Sequence, residues 1–146
     1  MQHDFYDDSY LAGILGEVGT IALVGASNKE DRPSYRVMKY MQTHGYRVIP
    51  VNPGMAGQTI LGETVHASLD DIPGPYEMVD VFRNSEAAAS VSDEAVRIAR
   101  AKGIKVVWMQ LDVRNDAAAA RAEQAGIKVV MNRCPKIELA RLGLEK

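Results

Sequence analysis

Cysteine is almost missing from this chain: Cys134 stands alone among 146 residues. A lone thiol excludes an intramolecular disulfide and every cysteine-based metal cluster, and it fits a reducing, cytoplasmic compartment. No apolar run approaches the roughly 18 residues of a membrane span. Neither sign of charge prevails, with 17 Lys+Arg against 19 Asp+Glu for a formal charge of −2. Binding to nucleic acid or to a membrane surface is therefore not expected. Histidines are few, and His3, His44 and His66 lack any metal-ligand spacing. His44, just before Gly45, reads as a helix C-terminal cation. The opening stretch Met1-Gln2-His3-Asp4-Phe5-Tyr6-Asp7-Asp8 is acidic where an export signal would be basic. A single cytoplasmic domain over residues 1–146 is the expectation.

What is present repeats a grammar. Gly45-Tyr46-Arg47-Val48-Ile49, Gly103-Ile104-Lys105-Val106-Val107 and Gly126-Ile127-Lys128-Val129-Val130 each follow a helical stretch. Glycine past a helix end takes the left-handed turn, and the β-branched run behind it reads as a buried strand. Helix, glycine, strand is half of a βαβ unit, and such units build parallel sheets. The spacing predicts helices over about 7–16, from Pro33, after a Ser85 cap, after an Asn115 cap and from Pro135. Strands are predicted at 20–24, 47–51, 78–82, 105–109 and 128–131, with a short edge strand near 63–66. The fold class is α/β: one doubly wound, mostly parallel sheet with helices on both faces.

In such sheets ligands bind beyond the carboxyl ends of the strands. Those ends carry Gly25, Ala26 and Ser27, then Asn52 and Pro53, then Arg83 and Asn84, then Gln110, then Asn132 and Arg133. Lys29, Arg32, Arg83 and Arg133 put cations on this edge, and helix N-termini add N–H donors, a setting for a polyanionic small molecule. A dinucleotide fits poorly. Gly25 is followed by Ala26-Ser27-Asn28 rather than by spaced glycines, and Asn52 stands where an acid would hold ribose hydroxyls. No glycine-lysine-hydroxyl sequence forms a P-loop.

The stretches Val24-Gly25-Ala26-Ser27, Arg32-Pro33-Ser34-Tyr35-Arg36-Val37 and Val48-Ile49-Pro50-Val51-Asn52-Pro53 resemble the small coenzyme-A-binding domain proteins. Val79-Asp80-Val81-Phe82-Arg83, Val107-Trp108-Met109-Gln110 and Met131-Asn132-Arg133-Cys134-Pro135 continue the match in order. This family is similar to the N-terminal domain of the succinyl-CoA synthetase α subunit, which implies a Rossmann-like sheet with coenzyme A over its strand ends. The resemblance implies that Gly25, Ala26 and Ser27 offer backbone N–H groups to the ligand. Arg32 and Ser34 would meet its phosphates, Asn52 and Pro53 would flank the nucleotide, and Phe82 would pack on the adenine. Arg83 would add charge, with Met109 and Gln110 beside the cofactor. Gly54 and Met55 stand where the family pattern often carries a lysine, so a lower affinity is expected from that loop.

No nucleophile, base or acid constellation is evident, and a binding protein without turnover is expected. Cys134, beside Arg133 at a helix start, has a setting that favours thiolate and a mixed disulfide with the ligand thiol. Its simpler reading is a small buried side chain closing a turn. Two alternatives stay open: an enzyme using NAD(P) or another nucleotide, and an interaction protein without ligand. In the second, the 53–62 loop or an exposed Trp108 region would meet a protein partner.

Overall fold

The computed structural model describes residues 1–145. Five parallel strands form the sheet: β1 (Thr20–Val24), β2 (Arg47–Val51), β5 (Met78–Val81), β6 (Val106–Met109) and β7 (Lys128–Val130), in the order β2-β1-β5-β6-β7. The chain first steps outward from β1 to β2, then returns to the other side of β1. The switch point where strand order reverses therefore lies between β1 and β5.

Each residue of a strand faces the opposite side from the next, and that alternation divides the core in two. Ile21, Leu23, Met78, Val106, Trp108 and Val130 face α1 (Asp8–Glu17), α2 (Pro33–Thr43) and α5 (Pro135–Arg141). Ala22, Val24, Val79, Val81, Val107, Met109 and Val129 face α3 (Ser85–Lys102) and α4 (Asp116–Gln124). The helices on each side also pack together, α1 and α2 on α5, and α3 on α4.

The glycine punctuation works as its chemistry requires: Gly45, Gly103 and Gly126 have φ of +96°, +80° and +84°. Gly103 closes α3 by donating to the Ala99 carbonyl at 2.8 Å. Pro33 and Pro135 occupy first helical positions, where a missing N–H costs nothing. Asn115 caps α4 by accepting from the Ala118 amide at 3.0 Å. The cap of α3 is Asn84 rather than Ser85: its side chain accepts from the Ala87 amide at 2.7 Å. Ser85 has already entered the helix, and its hydroxyl accepts instead from Arg114 N.

Two further expectations change. The segment near 63–66 does not extend the main sheet as a strand. Glu63–Thr64 (β4) pairs antiparallel with Thr59–Ile60 (β3), and only His66 bridges to Val51. Trp108 is fully buried in the sheet, with Nε1 donating to the Arg133 carbonyl at 2.9 Å, so it offers no surface to a partner. Its indole fills the α1/α2/α5 side, where an apolar ring with one satisfied donor is most stable.

The N-terminal arm lies along β7. Tyr10 donates its hydroxyl to the Val129 carbonyl at 2.9 Å, and the Tyr6 hydroxyl accepts from the Met131 amide at 2.8 Å. His3, buried, joins Tyr6 to Glu123 through its two ring nitrogens at 2.7 and 3.0 Å. Among the described residues no helix is long and apolar enough to cross a membrane.

Candidate functional site

A cleft of about 420 Å³ opens at the carboxyl ends of β1 and β2 and reaches Phe82 after β5. It therefore sits on the switch point. Its floor depends on one close approach. Gly25 has φ +92°, and a Cβ there would stand 3.0 Å from the Phe82 carbonyl carbon and nearer still to its oxygen. Only glycine lets the two strand ends come together this tightly.

The amides of Gly25 and Ala26 are not free for a ligand, contrary to expectation: both donate to the Val51 carbonyl, at 3.0 and 3.2 Å. They hold the end of β1 to β2. The donors left without a partner among the described residues come next, at Ser27 and Asn28 and in the first turn of α2 at Ser34 and Tyr35. The hydroxyl of Ser27 accepts from Lys29 N at 3.1 Å, which curls the loop. Arg32 occupies the N-cap position with no side-chain cap, leaving that end of the helix dipole open.

Asn52 lines the cleft and also ties its two loops together. Its Nδ2 donates to the Ala26 carbonyl at 2.8 Å, and its Oδ1 accepts from Gly54 N at 2.9 Å. These two bonds tie the β1 and β2 loops together and leave one N–H and one lone pair of the amide unused. Asn52→Asp removes the donor and sets a carboxylate against the Ala26 carbonyl. We expect it to cost about 1–3 kcal/mol in urea unfolding. It should also weaken anion binding more than Asn52→Ala, which loses the tie without adding charge. Equal anion affinities for the two variants would place Asn52 outside the cleft's electrostatics.

The structure brings Gly25, Ala26, Ser27, Arg32, Ser34, Asn52 and Phe82 together on the cleft wall, with Asn28, Lys29, Pro33 and Met55 completing it. Pro53 opens a 3-10 turn at the rim and is exposed. Arg83 is exposed on the loop before α3, outside the cleft lining. Met109 is entirely buried on the α3/α4 side, outside the cleft lining. Gln110 is buried at the end of β6. Cys134 is 5% exposed in the α1/α2/α5 core at the N-cap of α5, which agrees with the turn-closing reading. Met55 was missed because a methionine gives no binding signal in sequence; it supplies an apolar wall where a lysine was looked for.

None of Lys29, Arg32, Arg83 and Arg133 forms an ion pair among the described residues. Elsewhere Arg47, Arg114, Arg121 and Arg141 all pair with carboxylates. One acid lies near the site but inside the fold. Asp80, on β5 two residues before Phe82, is 1% exposed, flanked in register by Leu23 and Trp108, and its Oδ1 has no partner. Burial pushes this carboxyl well above the ordinary aspartate value.

The geometry is that of a Rossmann-like α/β domain with a cleft at its switch point that holds the unpaired Lys29 and Arg32. The sequence matches the CoA binding domain model over residues 19–140, and the chain belongs to that family. It is similar to YneT, an uncharacterized protein of Bacillus subtilis, at 37% identity over 124 residues, 85% of this chain and 87% of the relative. Among solved structures, a protein redesigned for binding superposes with a TM-score of 0.88 at 40% identity, covering 98% of this chain and 96% of that one. A hypothetical protein from Pyrococcus horikoshii superposes with a TM-score of 0.86 at 38% identity, covering 97% and 96%.

Proposed function

We propose that the protein binds coenzyme A, free or acylated, through its nucleotide part in the cleft. In this reading it works as a cytoplasmic carrier, sensor or regulatory module without turnover of its own. The carrying observation is the pairing of unspent donors with unpaired cations in one place: the amides of Ser27, Asn28, Ser34 and Tyr35 beside Lys29 and Arg32. Such an arrangement suits phosphate oxygens. Phe82 gives the adenine an apolar neighbour. The end of β2 carries Asn52 and no acid for a ribose diol, so a dinucleotide finds less to hold it.

A thermal-shift series on ligand-stripped protein tests this reading, because a ligand of the folded state raises Tm by mass action. Coenzyme A should stabilise more than dephospho-CoA, and dephospho-CoA more than NAD. NAD producing the largest shift would make the protein a dinucleotide binder, and a flat series would leave it without a nucleotide ligand.

A further inference from the structure

Beyond Phe82 the strand ends continue toward β7. Gln110 N donates to the Val81 carbonyl at 3.2 Å and Arg133 N to the Met109 carbonyl at 3.3 Å, so the backbone stays in register past the last strand residues. By alternation Gln110 lies on the face of Trp108, the same face as Phe82. At ~4.8 Å between strands, the path from Gly25 through Phe82 and Gln110 to the end of β7 runs roughly 14 Å.

Two hydrogen-bonding groups on this path are unfilled. Gln110 is 7% exposed, and its Oε1 has no donor among the described residues. Arg133 is half-buried and unusually well fixed. Its carbonyl accepts from Trp108 Nε1 at 2.9 Å, its guanidinium lies 4.9 Å from the centroid of the Tyr6 ring, and its Nη1 donates to the Asn132 carbonyl at 2.8 Å. The remaining guanidinium donors are unspent, and no carboxylate pairs with them. A half-buried, positioned arginine without a counter-ion is set up to receive an anion.

Resting on the coenzyme-A reading, we infer that Arg133 reads a carboxylate at the far end of an acyl group, so that the preferred ligand is an acyl-CoA with an acidic tail. The unfilled groups follow the chemistry of such a molecule in order. Lys29 and Arg32 lack anions where its phosphates lie, and Arg133 lacks an anion where the acyl chain ends. Tyr6 positions the guanidinium by stacking beneath it.

Calorimetric titration with glutaryl-CoA and pentanoyl-CoA, equal in chain length and different in the terminal carboxylate, tests the assignment. The wild-type protein should bind glutaryl-CoA about tenfold or more tightly than pentanoyl-CoA. Arg133→Gln should bring that ratio close to one while leaving pentanoyl-CoA affinity unchanged, which also shows that the variant is folded. Equal binding of the two by wild type, or a preference that survives the substitution, overturns the inference. So does an equal loss of both ligands in Arg133→Gln, which would move Arg133 to the nucleotide end. Absence of binding by coenzyme A and both acyl forms to wild type would instead overturn the reading beneath it.

Discussion

Replacing Gly25 by alanine should destabilise the protein by roughly 3 kcal/mol or more and abolish nucleotide binding. Two costs add. The backbone at φ +92° disfavours any side chain by about 1 kcal/mol, and the new Cβ meets the Phe82 backbone rather than a side chain that could turn away. Neither partner can retreat. Gly25 N is held by Val51 and Phe82 N by the Val24 carbonyl at 2.8 Å, so relief requires opening the sheet at its switch point. For a chain of this size the loss corresponds to a fall in Tm of about 10 °C. Gly103→Ala is the matched comparison: its φ is +80°, with nothing within 4 Å of the added Cβ. That variant carries the conformational cost alone, about 1 kcal/mol. Calorimetric unfolding of the two side by side measures the close approach, and equal losses would mean that the strand ends are less tightly joined than described.

Asp80 should make stability depend on pH in a direction opposite to that of most carboxylates. In the unfolded chain it ionises near 3.8, whereas the fold holds it protonated to higher pH. The folded state then carries a proton that the unfolded state has released. This contribution is complete below about pH 4 and declines as pH rises, by about 1.4 kcal/mol per pH unit, until the buried acid itself ionises. Asp80→Asn keeps the shape and removes the titration. Urea unfolding between pH 4 and 8 should show the variant gaining on wild type as pH increases. Parallel profiles would show that the carboxyl ionises in the fold as it does in the open chain.

Asp80 also marks where sequence reading stops. A period of two, read off Met78–Val81, shows an apolar strand, but it cannot reveal that one polar member has no partner. The same period explains Met109 and Gln110. Both follow from their place at a strand end, yet consecutive residues face opposite sides of a sheet. Met109 therefore belongs to the α3/α4 core, while Gln110 turns to the α1/α2/α5 side. The glycine-punctuated strands were legible because positive φ is a demand that glycine meets locally. The close approach at the first βα turn was legible for the same reason. Which of its amides are free was not, since Val51, 25 residues or more away in the chain, takes those of Gly25 and Ala26. Asn52 is similar: its place at the end of β2 is legible, whereas its bond to the Ala26 carbonyl, 26 residues away, is not. Trp108 needed the packing of three helices to show that it is interior.

The tyrosines of the N-terminal arm have a consequence for how the molecule behaves in a crowded solution. β7 is an outermost strand, and an outermost parallel strand presents alternating carbonyl and amide groups to any chain able to pair with it. The hydroxyls of Tyr10 and Tyr6 occupy two of those groups, at Val129 and Met131, as a sixth strand would. At the opposite margin His66 does the same for β2, exchanging bonds with Pro50 and Asn52. The sheet is thus closed to recruitment on both sides without being rolled into a barrel, and the first ten residues act as a shield against strand-to-strand polymerisation.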